Sequence, residues 1–245
     1  VALMIVNSTE LKNNLGKYLR LSVREEIIIT HNGTKIAKLS AYDNSFVDRN
    51  VSLKEQAKSY PAAPYKASLE EFRKLSESSE ERYEYIDGDI YLLASPKAIH
   101  QRVLSELHGI FHNWFAGKKC RPMFAPFDIT LMRSPENINV VQPDLMVICD
   151  FEEKINEQGY YMGVPALIVE VISEGTRSND FIKKLDLYMS TGVQEYWIMN
   201  PLNGEVSVYE FGEGNIQKNM TYKGKETVSS YYFAGLEVDL GRIFG

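Results

Sequence analysis

Ala166-Leu-Ile-Val-Glu-Val-Ile-Ser173 is a strand-like run of branched aliphatic residues broken by a single carboxylate, Glu170. A lone carboxylate taken out of water must be neutralised, partnered or bound to a cation, because its desolvation otherwise costs several kcal/mol. Upstream, Val140-Val-Gln-Pro-Asp-Leu-Met-Val-Ile-Cys149 places a second acid, Asp144, just ahead of its own apolar run. Two acids presented by neighbouring strands are suited to holding a hard divalent cation against a phosphodiester. These two segments set both the expected sheet and the expected site.

Outward from them the pattern is mixed α/β. Ser68-Leu-Glu-Glu-Phe72 opens a short helix with Ser68 and Glu71 in capping-box relation. Residues 82–93 read as a hairpin turning at Asp87-Gly88. A long helix is expected from about Ala98 to Phe115, then strands near 123–132, 140–149 and 166–173. A helix near 180–191 and strands at Glu195–Met199 and Val206–Phe211 follow. Helix, three strands, helix, strand is the core order of restriction-endonuclease-like folds, a mixed sheet flanked by helices.

Residues 1–45 form a separate small β-α-β-β unit. Ile5-Val6 reads as a strand, Ser8 or Thr9 as a helix cap, and Leu11, Leu15, Tyr18 and Leu19 as one apolar helical stripe. Two strands joined through His31-Asn32-Gly33 complete it. So small a unit buries little surface and is expected to pair with a second copy of itself. Asn7-Ser-Thr-Glu-Leu-Lys-Asn-Asn-Leu-Gly-Lys-Tyr-Leu19 and Ile27-Ile-Ile-Thr-His-Asn-Gly-Thr-Lys-Ile-Ala-Lys-Leu39 resemble the N-terminal half of Phd/YefM antitoxins. That resemblance implies a dimerising, DNA-binding module, with a toxin as a further partner. Lys12, Lys17, Arg20 and Arg24 are then candidates for phosphate contact, or else simply the solvated face of a helix. Residues 46–66 are polar, contain Pro61 and Pro64, and read as a linker with a short helix around Leu53–Ser59.

A formal net charge of −6 argues mildly against indiscriminate nucleic-acid binding, yet it does not oppose a nuclease whose acidic site is neutralised by cations. The charge is uneven, for the first 45 residues hold six Lys/Arg against four Asp/Glu. Cys120 and Cys149 form neither a disulfide framework nor a zinc spacing, which fits a reducing cytoplasm. The first six residues are apolar but lack a basic leader and are too short to span a bilayer, so neither export nor membrane insertion is expected. His108 and His112 stand at zinc-compatible spacing, with no third ligand evident and packing as the simpler role.

Metal-dependent nucleases commonly carry Pro-Asp, a gap, and then (Asp/Glu)-x-Lys. Pro143-Asp144 and Glu170 fit, but Ile172 stands where the lysine belongs. A basic group there orients the attacking water and offsets charge on the phosphorane oxygens. Lys184 can replace it, on a helix where Asp180, Lys184 and Tyr188 are spaced i, i+4, i+8. Glu84-Tyr-Ile-Asp-Gly-Asp89, His100-Gln101, Gln142-Pro-Asp144, Val169-Glu-Val-Ile-Ser173, Asp180, Lys184, Tyr188 and Gly192-Val-Gln-Glu-Tyr-Trp-Ile-Met-Asn-Pro201 resemble, in order and spacing, the Uma-type restriction endonuclease family. That family belongs to the PD-(D/E)XK nuclease superfamily, and the resemblance covers residues 67–245.

The resemblance implies that Asp144, Glu170 and the Val171 carbonyl ligate Mg²⁺ or Mn²⁺ and that Lys184 serves the attacking water. Glu84 would complete the acidic cluster or receive a proton, with His100, Asp180 and Tyr188 in support. The implied reaction is hydrolysis of DNA to a 5′-phosphate and a 3′-hydroxyl. Each residue also has a plainer reading: Asp144 as a turn cap, Glu170 as a partnered core acid, Lys184 as a solvated lysine, Tyr188 as core packing, Glu84 as an exposed hairpin residue. The rival class is a non-catalytic DNA-binding regulator that keeps the nuclease fold as a scaffold, which Ile172 favours.

Overall fold

A computed structural model describes residues 4–13, 15–22, 25–31, 33–40, 65–172 and 179–245. The chain divides into two compact units, Val1–Ala57 and Lys58–Gly245.

In the first unit β1 (Met4–Asn7) runs parallel to β2 (Ile27–His31), which pairs antiparallel with β3 (Thr34–Leu39). Parallel neighbours need a crossover, and α1 (Ser8–Asn13) and α2 (Leu15–Ser22) supply it. The cap lies one residue earlier than the sequence indicates, since Asn7 Oδ1 accepts the Glu10 N–H at 2.8 Å. Ser8 Oγ instead meets His31 Nδ1 at 2.9 Å. Val6, Tyr18, Ile27 and Ile29 form the buried core, and Lys12 and Lys17 are exposed. Arg24, the Arg20 side chain and 46–64 of the expected linker, with its short helix, lie outside the described residues.

The second unit begins with β4 (Tyr65–Lys66), which the sequence places in the linker, then α3 (Leu69–Ser78), β5 (Tyr83–Ile86), β6 (Asp89–Leu92) and the long α4 (Ala98–Phe115). Next come β7 (Arg121–Phe124), β8 (Ile129–Ser134), β9 (Asn137–Val141), β10 (Leu145–Ile148), a short α5 (Phe151–Lys154) and β11 (Leu167–Val171). A π-helical turn (Asn179–Lys184) runs into α6 (Leu185–Thr191). After it stand β12 (Glu195–Asn200), β13 (Glu205–Gly212), β14 (Asn215–Lys223), β15 (Thr227–Ser229), β16 (Glu237–Asp239) and α7 (Leu240–Phe244). Ser68 and Glu71 form the expected capping box on α3. The β5–β6 hairpin turns through Asp87 and Gly88, both at positive φ (50° and 83°), as a two-residue turn of this hand requires.

Six strands make the main sheet, in the order β14-β13-β12-β11-β10-β7, and five make a second, β4-β6-β5-β9-β8. In the main sheet β11 and β12 are parallel, and the π turn and α6 form their crossover. Alternation along the strands assigns the layers. Leu145, Val147, Leu167, Val169, Val171 and Trp197 share a core with Val103, Leu107 and Phe111 of α4. Met146, Ile148, Ile168, Ile172, Tyr196 and Ile198 pack with Leu185, Leu187 and Tyr188 of α6. Glu170 falls between Ile168 and Ile172 on that second face. The expected core order is present as α4, β7, β10, β11, α6, β12.

Three expectations are corrected. The run near 123–132 is two strands, β7 and β8, in different sheets. The run 140–149 is broken at Gln142-Pro143-Asp144 between β9 and β10, because Pro143 has no N–H to continue a ladder. Asp144 therefore stands where the chain passes from one sheet to the other. The two cysteines are joined in a disulfide. The β7–β10 register pairs Arg121 with Ile148, and the next step along each strand brings Cys120 and Cys149 together with their Cα atoms 3.9 Å apart. A separation of 29 residues carries no trace of that register.

One further acid is buried in a strand. Glu195 is fully inaccessible, and its carboxylate accepts hydrogen bonds from Trp197 Nε1 (2.6 Å), Ser230 Oγ (2.6 Å) and the Tyr231 and Tyr232 N–H groups (3.2 and 2.9 Å). Four donors compensate its burial and tie the segment after β15 to the sheet. Among the described residues, no helix is long and apolar enough to cross a membrane.

Candidate active site

The antiparallel register of β10 on β11, with Leu145 opposite Val169, puts Asp144 opposite Glu170 one step beyond the ladder. Asp144 Oδ2 accepts the Val171 N–H at 2.8 Å and lies 3.1 Å from Nε2 of His100, in the first turn of α4. Strand end, sheet passage and helix start thus converge on one carboxylate.

Glu170 is 3% exposed. Its Oε1 lies 2.8 Å from Lys184 Nζ and accepts the Tyr188 hydroxyl at 2.7 Å. The same ammonium is 3.0 Å from Glu84 Oε1 on β5, and that oxygen also accepts the Gln142 N–H at 2.9 Å. The side chains of Lys184, Glu84 and Glu170 are each 4% exposed. An ammonium is tolerable at that depth because two carboxylates face it. Burial, then the neighbouring Glu170 charge, push the Tyr188 hydroxyl well above its ordinary value, so it keeps its proton and acts as a donor.

A cavity of about 130 Å³ opens on this cluster, with Arg82, His100, Asp144, Glu170, Val171 and Lys184 in its wall. Among the described residues no three His, Cys, Asp or Glu side chains are grouped to share an ion. The described residues then offer any one cation two carboxylates, with backbone and water to complete the shell, a pattern suited to Mg²⁺. His100 Nδ1 and Gln142 Oε1, both on residues lining the cavity, are buried without a hydrogen-bond partner among the described residues. A hydrated ion fits such a donor set.

Of the residues singled out from the sequence, Glu84, His100, Asp144, Glu170, Val171, Lys184 and Tyr188 come together. Glu84 is not an exposed hairpin residue but 3% exposed. Ile172, where a lysine is usual, packs into the apolar core under α6. The Asp180 side chain lies outside the described residues. His108 is exposed and packs on Phe124, ring centres 4.0 Å apart. Arg82 escaped sequence reasoning, although its signal was present: it stands two positions before Glu84, hence on the same side of the extended chain.

A crystal structure of "a putative nuclease belonging to DUF820" from Anabaena variabilis ATCC 29413 superposes with a TM-score of 0.58 at 22% identity, covering 73% of this chain and 97% of that one. At that identity the likeness establishes the fold. The uncharacterized protein slr1290 of Synechocystis sp. is 29% identical over 151 residues, 61% of this chain and 77% of that protein. Residues 69–241 match the Uma2 family, described as "Putative restriction endonuclease", and with most of its length inside that match the chain belongs to this family.

Proposed function

We propose that the chain is a metal-dependent endonuclease that hydrolyses phosphodiester bonds in DNA. The observation that carries the reading is the buried Lys184 ammonium held between Glu84 and Glu170, beside Asp144, on the wall of one cavity. A purely structural ion pair has no need of a third carboxylate and an open cavity next to it.

Asp144, Glu170 and the Val171 carbonyl would hold Mg²⁺ or Mn²⁺, which supplies Lewis acidity toward the phosphate and an acidified water. Tyr188, donating to Glu170, fixes the orientation of that carboxylate. His100 does the same for Asp144 from the start of α4. Lys184 orients the attacking water and offsets charge developing on the phosphorane oxygens, the task a strand-borne lysine performs elsewhere. Glu84 holds the ammonium in place and can receive a proton through water. The products are a 5′-phosphate and a 3′-hydroxyl. The names of the family and of the Anabaena protein agree with this chemistry.

Incubation with supercoiled and linear DNA is expected to give cutting in Mg²⁺ or Mn²⁺ and none in EDTA. DNA binding without cutting under every metal would replace the enzyme by a regulator built on a nuclease scaffold. The first unit acts, on this reading, as a homodimerisation and DNA-binding module, with exposed Lys12 and Lys17 toward phosphates. Removing residues 1–45 should lower the number of chains per particle measured by light scattering; an unchanged number rules the module out as the dimer contact.

A further inference from the structure

Arg82 lines the cavity, half-buried, and among the described residues its side chain has no hydrogen bond or ion pair. Arg73 and Arg102 also lack such partners but are exposed on helices, whereas Arg133 is paired with Asp87 and Asp186, Arg121 with Glu152 and Arg242 with Glu106. The Arg82 guanidinium nitrogens are not buried, so they stay open to an incoming anion on the wall that also carries Asp144 and Glu170. We infer that Arg82 is the phosphate-binding residue of this site, gripping the nucleic-acid backbone as it enters the cavity. The inference rests on the nuclease reading and deepens it.

Charge and shape both support the assignment. Glu84, Asp144 and Glu170 set three negative charges against the single charge of Lys184, counting His100 as neutral. A divalent ion cancels that excess and leaves nothing over for the incoming phosphodiester. Arg82 supplies the missing positive charge. Lys184, held between two carboxylates at 3.0 and 2.8 Å, is committed to the attacking water and the transition-state charge rather than to the entering backbone. The planar guanidinium fork also matches two phosphate oxygens, which an ammonium does not. Local structure fixes its aim: Leu93 N–H donates to the Arg82 carbonyl at 2.9 Å, extending the β5–β6 ladder by one pair. That pairing holds Arg82 in strand register with Glu84. The first turn of α4 flanks the same cavity through His100 and Gln101, and its N-cap, Lys97, provides no side-chain cap. The positive end of the helix dipole therefore adds to the field that Arg82 sets up.

The test uses the full chain and a fluorescein-labelled DNA duplex, read by anisotropy in Ca²⁺ across a salt series, with steady-state cleavage in Mg²⁺ alongside. R82A should bind about tenfold more weakly, and its slope of log affinity against log salt should shrink by about one, the signature of one lost phosphate contact. Its KM should rise more than its kcat falls. R82K should keep the wild-type slope, because the charge remains, while losing part of the affinity with the fork. Wild-type affinity and slope in R82A, with cleavage by the wild type intact, overturn the assignment and leave the nuclease reading standing. A wild type that neither binds nor cuts the duplex overturns both. Should R82A fail to fold, R82K decides: weaker binding at an unchanged slope supports the assignment, and unchanged binding defeats it.

Discussion

Truncating Lys184 to alanine is expected to destabilise the second unit by about 3–5 kcal/mol, because it leaves buried carboxylates facing one another without their shared cation. Glu84 and Glu170 lie 3.0 and 2.8 Å from the ammonium, and all three side chains are almost wholly inaccessible. The contrast is with Lys74–Glu70, whose side chains are 73% and 77% exposed, a pair worth about 1 kcal/mol or less. Urea denaturation of wild type and K184A would give the difference directly. Added Mn²⁺ should raise the midpoint of K184A more than that of the wild type, since a divalent ion takes over the charge the lysine supplied. A loss under about 1 kcal/mol would mean that water reaches the carboxylates and that the cluster is not closed around its lysine.

Asp144→Asn should behave in the opposite way. It is expected to cost roughly a thousandfold in DNA hydrolysis, since loss of an anionic ligand removes several kcal/mol of charge stabilisation. Stability should fall by no more than about 1 kcal/mol. The Asp144 side chain is 18% exposed at a strand end, and an asparagine oxygen can still accept the Val171 N–H. Single-turnover cleavage and thermal melting, measured on one preparation, separate the two effects. Cleavage within tenfold of the wild type would remove Asp144 from the reaction. Together the two variants split the site into a member that the fold needs and a member that only the chemistry needs.

How much of this was legible in advance differs from residue to residue. The alternation around Glu170 is local, so the strand, its buried acid and the α/β order could be read from the sequence alone. Lys184 and Tyr188 were reachable because helical spacing relates them to each other. Glu84 was ambiguous, since its burial depends on how β5 of one sheet lies against the start of β10 in another. No window of sequence holds that information. The same holds for the pairing of Cys120 with Cys149, which is set by strand register. β14 went unread because its residues are mostly polar and exposed, with neither strand nor helix periodicity. Glu195 is the instructive counterpart of Glu170: each is an acid inside a buried strand, at 0% and 3% exposure. One is answered by four neutral donors and the other by an ammonium and a phenol beside a cavity. Composition does not tell them apart; their partners do.

The wide turn at Asn179–Lys184 has a consequence for how this site tolerates change. A π turn is an α-helix carrying one residue too many, a surplus that works as slack in the chain. Dropping one residue upstream of Lys184 would let the segment tighten to ordinary α-helix, while the angular phase between Lys184 and Tyr188, both tied to Glu170, stays as it is. A lysine fixed on the strand has no such tolerance, because a one-residue slip turns it to the opposite face. Moving the charge from strand to crossover thus uncouples the length of the preceding connection from the aim of the ammonium.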